Sequence, residues 1–371
     1  MRLLILGIVV LAAACAREDD APAEIIVSEV TASDELGGFT DPVTGAAFWT
    51  HPSLAFNSLM LIATESGLAS YNIEDGNRID RIEDASPVGL AVSYMGARAA
   101  AKGVVVYFDR AKSAFALYTI DNIDRSFIPV AFEIAAPSDV NGYCLGPKGS
   151  DAGLALRVIT NTGLETFELT LDGPNAIAAK TGAVASSEAL VDCEVDALDG
   201  AVFAATRSGK IYRYTENEEA SAPFAIAGAD AVTQIGVALG GLTTDDDEAA
   251  DSDNGACCGQ IALLDSETGQ VHLFDRDDGH ALGIATISAS FDVESVASAS
   301  VMGVGYGNFG GAYRNGVLAL ATTDYKPVIR LAPWTGVLNA VKQPVGAAAN
   351  PRDLMPQEED AFAIELDGIN P

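Results

Sequence analysis

The sequence is short of the residues on which most enzyme chemistry depends. It has three histidines, His51, His272 and His280, which do not cluster, and its cysteines form no CxxC pair, so a zinc site lacks the ligands it would need. No GxSxG segment occurs, which removes the common serine-hydrolase signature. Basic residues are scarce: 21 Lys and Arg face 52 Asp and Glu, a net charge of −31. Such an excess repels nucleic acid and anionic lipid headgroups wherever salt does not screen it, and it also favours solubility. Partners are therefore expected among cations, neutral molecules or metal-bridged anions. Long helical patterns are hard to find, and the one unbroken apolar run, Leu3 to Ala14, is too short to span a bilayer.

What the sequence has instead is a repeat. A short apolar run ends in an aromatic and falls into an acidic turn, with Tyr71, Tyr118, Phe167, Tyr214 and Phe274 as markers 47, 49, 47 and 60 residues apart. Short runs precede these markers at Leu59–Ala63, Gly103–Phe108, Leu154–Ile159, Ala201–Ala205 and Gln260–Leu264, and a sixth occurs at Gly316–Ala321, each bounded by Gly, Asn or Asp. A period of roughly 40 to 50 residues built from strands and tight turns predicts an all-β fold, a six-bladed β-propeller of four-stranded antiparallel blades. The composition, 49% apolar with 36 glycines, suits one well-buried domain rich in turns. We place the propeller at 39–345, a flexible acidic tether at 16–38, and a segment at 346–371 that packs on the propeller or is disordered.

Residues 1–15 read as an export signal. Leu11-Ala-Ala-Ala14-Cys15 resembles a bacterial lipobox, although Ala12 replaces the usual leucine, so Cys15 is the expected lipidation site. This predicts an exported periplasmic or outer-membrane lipoprotein, touching the membrane only through its lipid and otherwise monomeric. Simple secretion is the alternative. Four further cysteines, Cys144, Cys193, Cys257 and Cys258, allow three pairings in an oxidising compartment. Cys144 and Cys193 hold comparable places one blade apart, whereas a bridge between the adjacent Cys257 and Cys258 would be strained. The acidic stretch Thr243–Gly255 suits calcium by composition, but its glycine does not meet the EF-hand spacing, so it reads as a solvated loop.

Other motifs carry less. Gly305-Tyr-Gly-Asn-Phe-Gly310 spells GxGxxG without a following helix and reads as a propeller loop. His272 alternates with apolar neighbours and His51 precedes Pro52 in a turn, so both read as structural. Arg110 with Lys112 is the best basic cluster, and its bland reading is an arginine paired with Asp109.

The order of local sequences from Asp41 to Trp334 resembles the β-propeller phytases, calcium-dependent phosphatases acting on inositol hexakisphosphate. Phe48-Trp-Thr-His-Pro52, Phe108-Asp-Arg110 with Tyr118-Thr-Ile-Asp121, Gly142-Tyr-Cys-Leu145, Asp192-Cys-Glu-Val-Asp196, Gly241-Leu-Thr243 and Ala332-Pro-Trp334 follow the family's order. The resemblance implies a phosphomonoesterase in which calcium, held by channel carboxylates, neutralises phosphate and activates a water. By the same resemblance Arg110 would bind phosphate, Tyr143 would be the channel tyrosine, and Asp41 and Asp324 would serve as metal ligands. Elsewhere the family's polar positions fall on Gly45, Glu65-Ser66, Thr160 or Asn161, Val191, Thr206-Arg207, Gly240 and Ala297–Ser300. The alternative is a non-catalytic propeller of the cell envelope, binding a protein, glycan or phosphorylated ligand and needing no cofactor. A six-bladed lactonase would need a Glu, Asn and Asp set around one calcium, which the sequence does not offer.

Overall fold

The computed structural model describes residues 26–95, 102–135, 137–148, 151–215, 222–241, 256–324, 326–346 and 349–354. Cys15 and the whole acidic stretch at 243–255 lie outside them. Two short strands come first, β1 (Val27–Thr31) and β2 (Asp34–Leu36). Five consecutive antiparallel meanders follow. Unit 1 holds β3 (Val43–Trp49), β4 (Leu59–Thr64), β5 (Gly67–Asn72) and β6 (Arg78–Glu83); unit 2 holds β7 (Pro87–Met95), β8 (Lys102–Asp109), β9 (Ala114–Ile120) and β10 (Phe127–Ile134). Unit 3 holds β11 (Gly142–Lys148), β12 (Asp151–Thr160), β13 (Gly163–Asp172) and β14 (Asn175–Ala185), and a parallel pairing of β10 with β14 merges units 2 and 3 into one eight-stranded sheet. Unit 4 holds β15 (Leu190–Val195), β16 (Val202–Thr206), β17 (Lys210–Tyr214) and β18 (Ala225–Ile226). Unit 5 holds β19 (Val232–Gly241), β20 (Ala256–Asp265), β21 (Gln270–Asp275) and β22 (Ala281–Ser288), with β1 added in parallel beside β22.

The last unit is completed by the first part of the chain. Strands β23 (Ala299–Gly305), β24 (Val317–Thr322) and β25 (Ile329–Pro333) take β2 as their fourth strand, and a single helix, α1 (Trp334–Ala340), follows. The tether expected over 16–38 is therefore shorter, because residues 27–36 contribute sheet strands. Val30 and Ala32 are buried there, a gain in apolar burial that an unattached tether would forgo. The Tyr313 hydroxyl donates to Asp34 at 2.6 Å, and Arg330, itself buried, donates to Glu35 at 3.2 Å.

The predicted repeat falls in one phase of this pattern. All five aromatic markers lie on the third strand of their units, and all six apolar runs overlap the second. Second strands are buried almost throughout, packed on both faces by neighbouring units, so they read as continuous apolar runs without alternation. The first strands β3, β7, β11, β15, β19 and β23 lie side by side in that order, and β23 returns to lie beside β3. A glycine also permits the close approach of β8 to the end of β3: a Cβ on Gly103 would lie 2.3 Å from the Trp49 indole nitrogen. Cys144 on β11 and Cys193 on β15 are disulfide-bonded, with Cα atoms 5.5 Å apart, and fasten unit 3 to unit 4. Cys258 is also disulfide-bonded, but the side chain of Cys257 lies outside the described set. No described helix is long and apolar enough to cross a membrane.

Candidate functional site

The six first strands enclose a cavity of about 300 Å³. We call its top the end where each of these strands begins, which is also where the second and third strands of each unit turn. At the top the ladder slips in five of the six units, leaving Thr44, Gly89 with Leu90, Val191, Thr233 and Ser300 as bulged residues. A bulge re-aims side chains away from the regular ladder, and all of these residues line the cavity. Unit 3 has no such slip and places Asn141 there. The resulting ring is neutral and largely satisfied within itself. Thr44 donates to the Pro87 carbonyl at 2.7 Å and Asn141 to the Asn161 side chain at 3.0 Å, while the Thr233 hydroxyl is buried with no partner.

Below the ring the cavity holds two carboxyl groups, Asp192 and Glu194. Strand alternation aims Cys193 at Cys144 in unit 3 and leaves its neighbours on the opposite side. The Asp192 carboxylate accepts a hydrogen bond from the Ile235 amide on β19 at 3.1 Å. Both side chains touch the cavity yet are surrounded by protein. Desolvation raises Asp192 to about 7, and desolvation together with the nearby Asp192 charge raises Glu194 to about 8. No Lys, Arg or His is among the described residues lining the cavity. Lower still, Asp196 is paired with Arg276, and Tyr94 and Tyr306 line the wall.

The segment at 349–354 packs at the bottom. Pro351 faces the cavity, and Arg352, fully buried, donates to the Thr50 carbonyl at 2.8 Å and lies over the rings of Tyr94 and Trp49 at 4.7 and 5.2 Å.

The structure distributes the sequence-derived candidates unevenly. Tyr143 does line the cavity, but its hydroxyl is occupied: it donates to the Val88 carbonyl at 2.9 Å and accepts from the Phe108 amide at 3.2 Å. Its ring packs edge-on against Phe115, and burial raises its pKa. Arg110 is exposed on the top turn of unit 2 and has no ion pair among the described residues, because Asp109 pairs with Lys112 at 2.9 Å. Asp41 is on the top rim of unit 1, held by Ser66 at 2.7 Å and Thr40 at 3.0 Å, and these two bonds lower its pKa. Asp324 lies on the top turn of unit 6, exposed, beside a shallow depression shared with Glu294 and Arg330. These three thus share one end of three successive units, and none of them lines the cavity.

One replaced position has a steric cause. Gly45, where the phytase resemblance calls for an aspartate, lies against β7, and a Cβ there would come within 2.8 Å of the Gly89 backbone. The sequence reading passed over Asp192 and Glu194 as ligand groups. Their available signal was the alternation of carboxylates at 192, 194 and 196 around a cysteine that must face the other way. Asp275, Asp278 and His280, in a bottom turn of unit 5, place ligand atoms within 4.8 Å of one another, but Asp275 and Asp278 already accept amide hydrogen bonds of that turn.

No protein-family model matches the chain, and no curated protein matches it. Among solved structures the chain is similar to "KlHsv2 with loop 6CD replaced by a Gly-Ser linker", at 14% identity over 76% of this chain and 74% of that one, with a TM-score of 0.35.

Proposed function

We propose that the six units are the blades of a six-bladed β-propeller, and that this propeller is a non-catalytic binding module of the cell envelope which takes a small ligand into its axial cavity. The observation that carries this reading is the neutral ring at the top. A multi-calcium phosphatase needs carboxylates converging where the bulges aim, and those places hold Thr44, Leu90, Asn141, Val191, Thr233 and Ser300. Two carboxyls on one strand supply too little charge and too few oxygens for several calcium ions. Purified protein assayed with phytate and calcium should release no more phosphate than a chelator-treated control. Calcium-dependent release above that control would overturn the proposal.

A calcium-dependent phosphatase descended from the phytase line is the second reading. It is supported by Arg110, exposed and without an ion pair among the described residues, on the same rim as Asp41 and Asp324. On that reading, Arg110→Ala would abolish the phosphate release that the first reading says is absent.

A further inference from the structure

We propose that the axial cavity binds a small organic cation, an alkyl ammonium with an apolar body, through Glu194 and Asp192. The inference rests on the binding-module reading and specifies its ligand.

Three observations lead to it. First, Asp192 and Glu194 project into an enclosed space with no Lys, Arg or His among its described lining residues, so their charge is not offset from within the protein. A half-buried carboxylate with no cationic partner is costly, and a cationic ligand removes that cost on binding. Second, the oxygens around the pair are few and partly in use. Asp192 accepts from Ile235, and the Gln234 side chain accepts from the Met302 amide. A hard metal ion takes roughly six to eight oxygens, more than the two carboxyls and the Thr233 hydroxyl supply. Third, the remaining wall suits a hydrocarbon body. Leu90, Leu145, Ile235, Val301 and Met302 line it, together with the aromatic Tyr306. The Thr233 hydroxyl, buried without a partner at the top of the same cavity, can accept one ammonium hydrogen.

The volume of about 300 Å³ is at the small end of ligand pockets, which favours a short molecule. Pro351 lines the bottom, so entry is proposed from the top. The titratable groups facing the pair are Tyr143 from β11, Tyr306 beyond β23 and Tyr94 from β7, all kept neutral by burial, and Asp196, already paired with Arg276. Only Asp192 and Glu194 are therefore free to change charge near neutral pH. Ligand binding should then expel protons from them.

The test uses the full chain and three probes: 1,4-diaminobutane, the uncharged 1,4-butanediol, and calcium chloride alone. Titration calorimetry at pH 8.5 should show one diamine bound per chain, with no heat from the diol or from calcium. The diamine affinity should fall at least about tenfold at pH 6, and proton release near pH 7 should appear as a dependence of the heat on buffer ionisation enthalpy. Glu194→Gln should weaken diamine binding at least about tenfold while leaving the folded state intact by thermal unfolding, since an amide replaces the buried carboxyl with no loss of volume. Asp192→Asn provides an independent second variant. Absence of diamine binding at pH 8.5 would overturn the proposal, as would equal binding of the diol or tight calcium binding lost in Glu194→Gln. Equal binding of the diol would leave the binding-module reading standing, because that reading fails only with calcium-dependent phosphate release from phytate.

Discussion

At the scale of single residues, the two cavity carboxyls set a pH dependence that can be measured without any ligand. Their pKa values are raised to about 7 and about 8, so the folded protein holds protons that the unfolded chain releases at about pH 4. The stability they favour is fully present below that lower value and is lost as the pH rises through the folded values. Glu194→Gln should therefore be more stable than the parent at pH 9 by on the order of 2 kcal/mol and nearly equal to it at pH 4, as read from urea denaturation at the two pH values. Arg352 works in the opposite sense. It is a buried cation accommodated by the Thr50 carbonyl and two aromatic faces, so Arg352→Ala removes packing as well as charge. Arg352→Ala should lower stability by about 2 to 4 kcal/mol, visible as an earlier thermal transition.

At the scale of elements, the bulges of the first strands explain what sequence reasoning can and cannot see. The second strand of each unit is a plain apolar run and the third ends in an aromatic, so both were readable as a repeat. The first strands line the cavity, and their phase slips by one residue at Thr44, Val191, Thr233 and Ser300. No local pattern announces that slip, because it is imposed by the pairing partner across the sheet. The same limit applies to β1 and β2, whose polar, acidic surroundings resemble a tether until their distant partners β22 and β25 are known. Gly45 shows how firmly a first strand is seated. Gly45→Asp, the change that would introduce the aspartate expected from the phytase resemblance, should cost roughly 2 to 3 kcal/mol by overpacking against Gly89. It should add no calcium binding in a calorimetric titration, because the rest of the ring stays neutral.

For the whole molecule, six units in a ring leave each one dependent on both neighbours, and two devices reinforce particular joints. The disulfide between Cys144 and Cys193 closes a loop spanning 49 residues, and replacing both cysteines with alanine should lower stability by roughly 4 kcal/mol in guanidinium denaturation. The other device is the completion of unit 6 by β2, where Ser33 bonds to Leu331 across 298 residues of sequence. During synthesis β2 emerges first and its partner β25 nearly last. For most of that time β2 has no partner, and once β25 emerges its outer edge also faces the solvent until the two meet. Such edges recruit other strands, so the interval before they meet is when this protein is most prone to aggregate or exchange strands between copies. Its folding rate should accordingly be governed by that one long-range encounter, which no strengthening of an individual unit would accelerate.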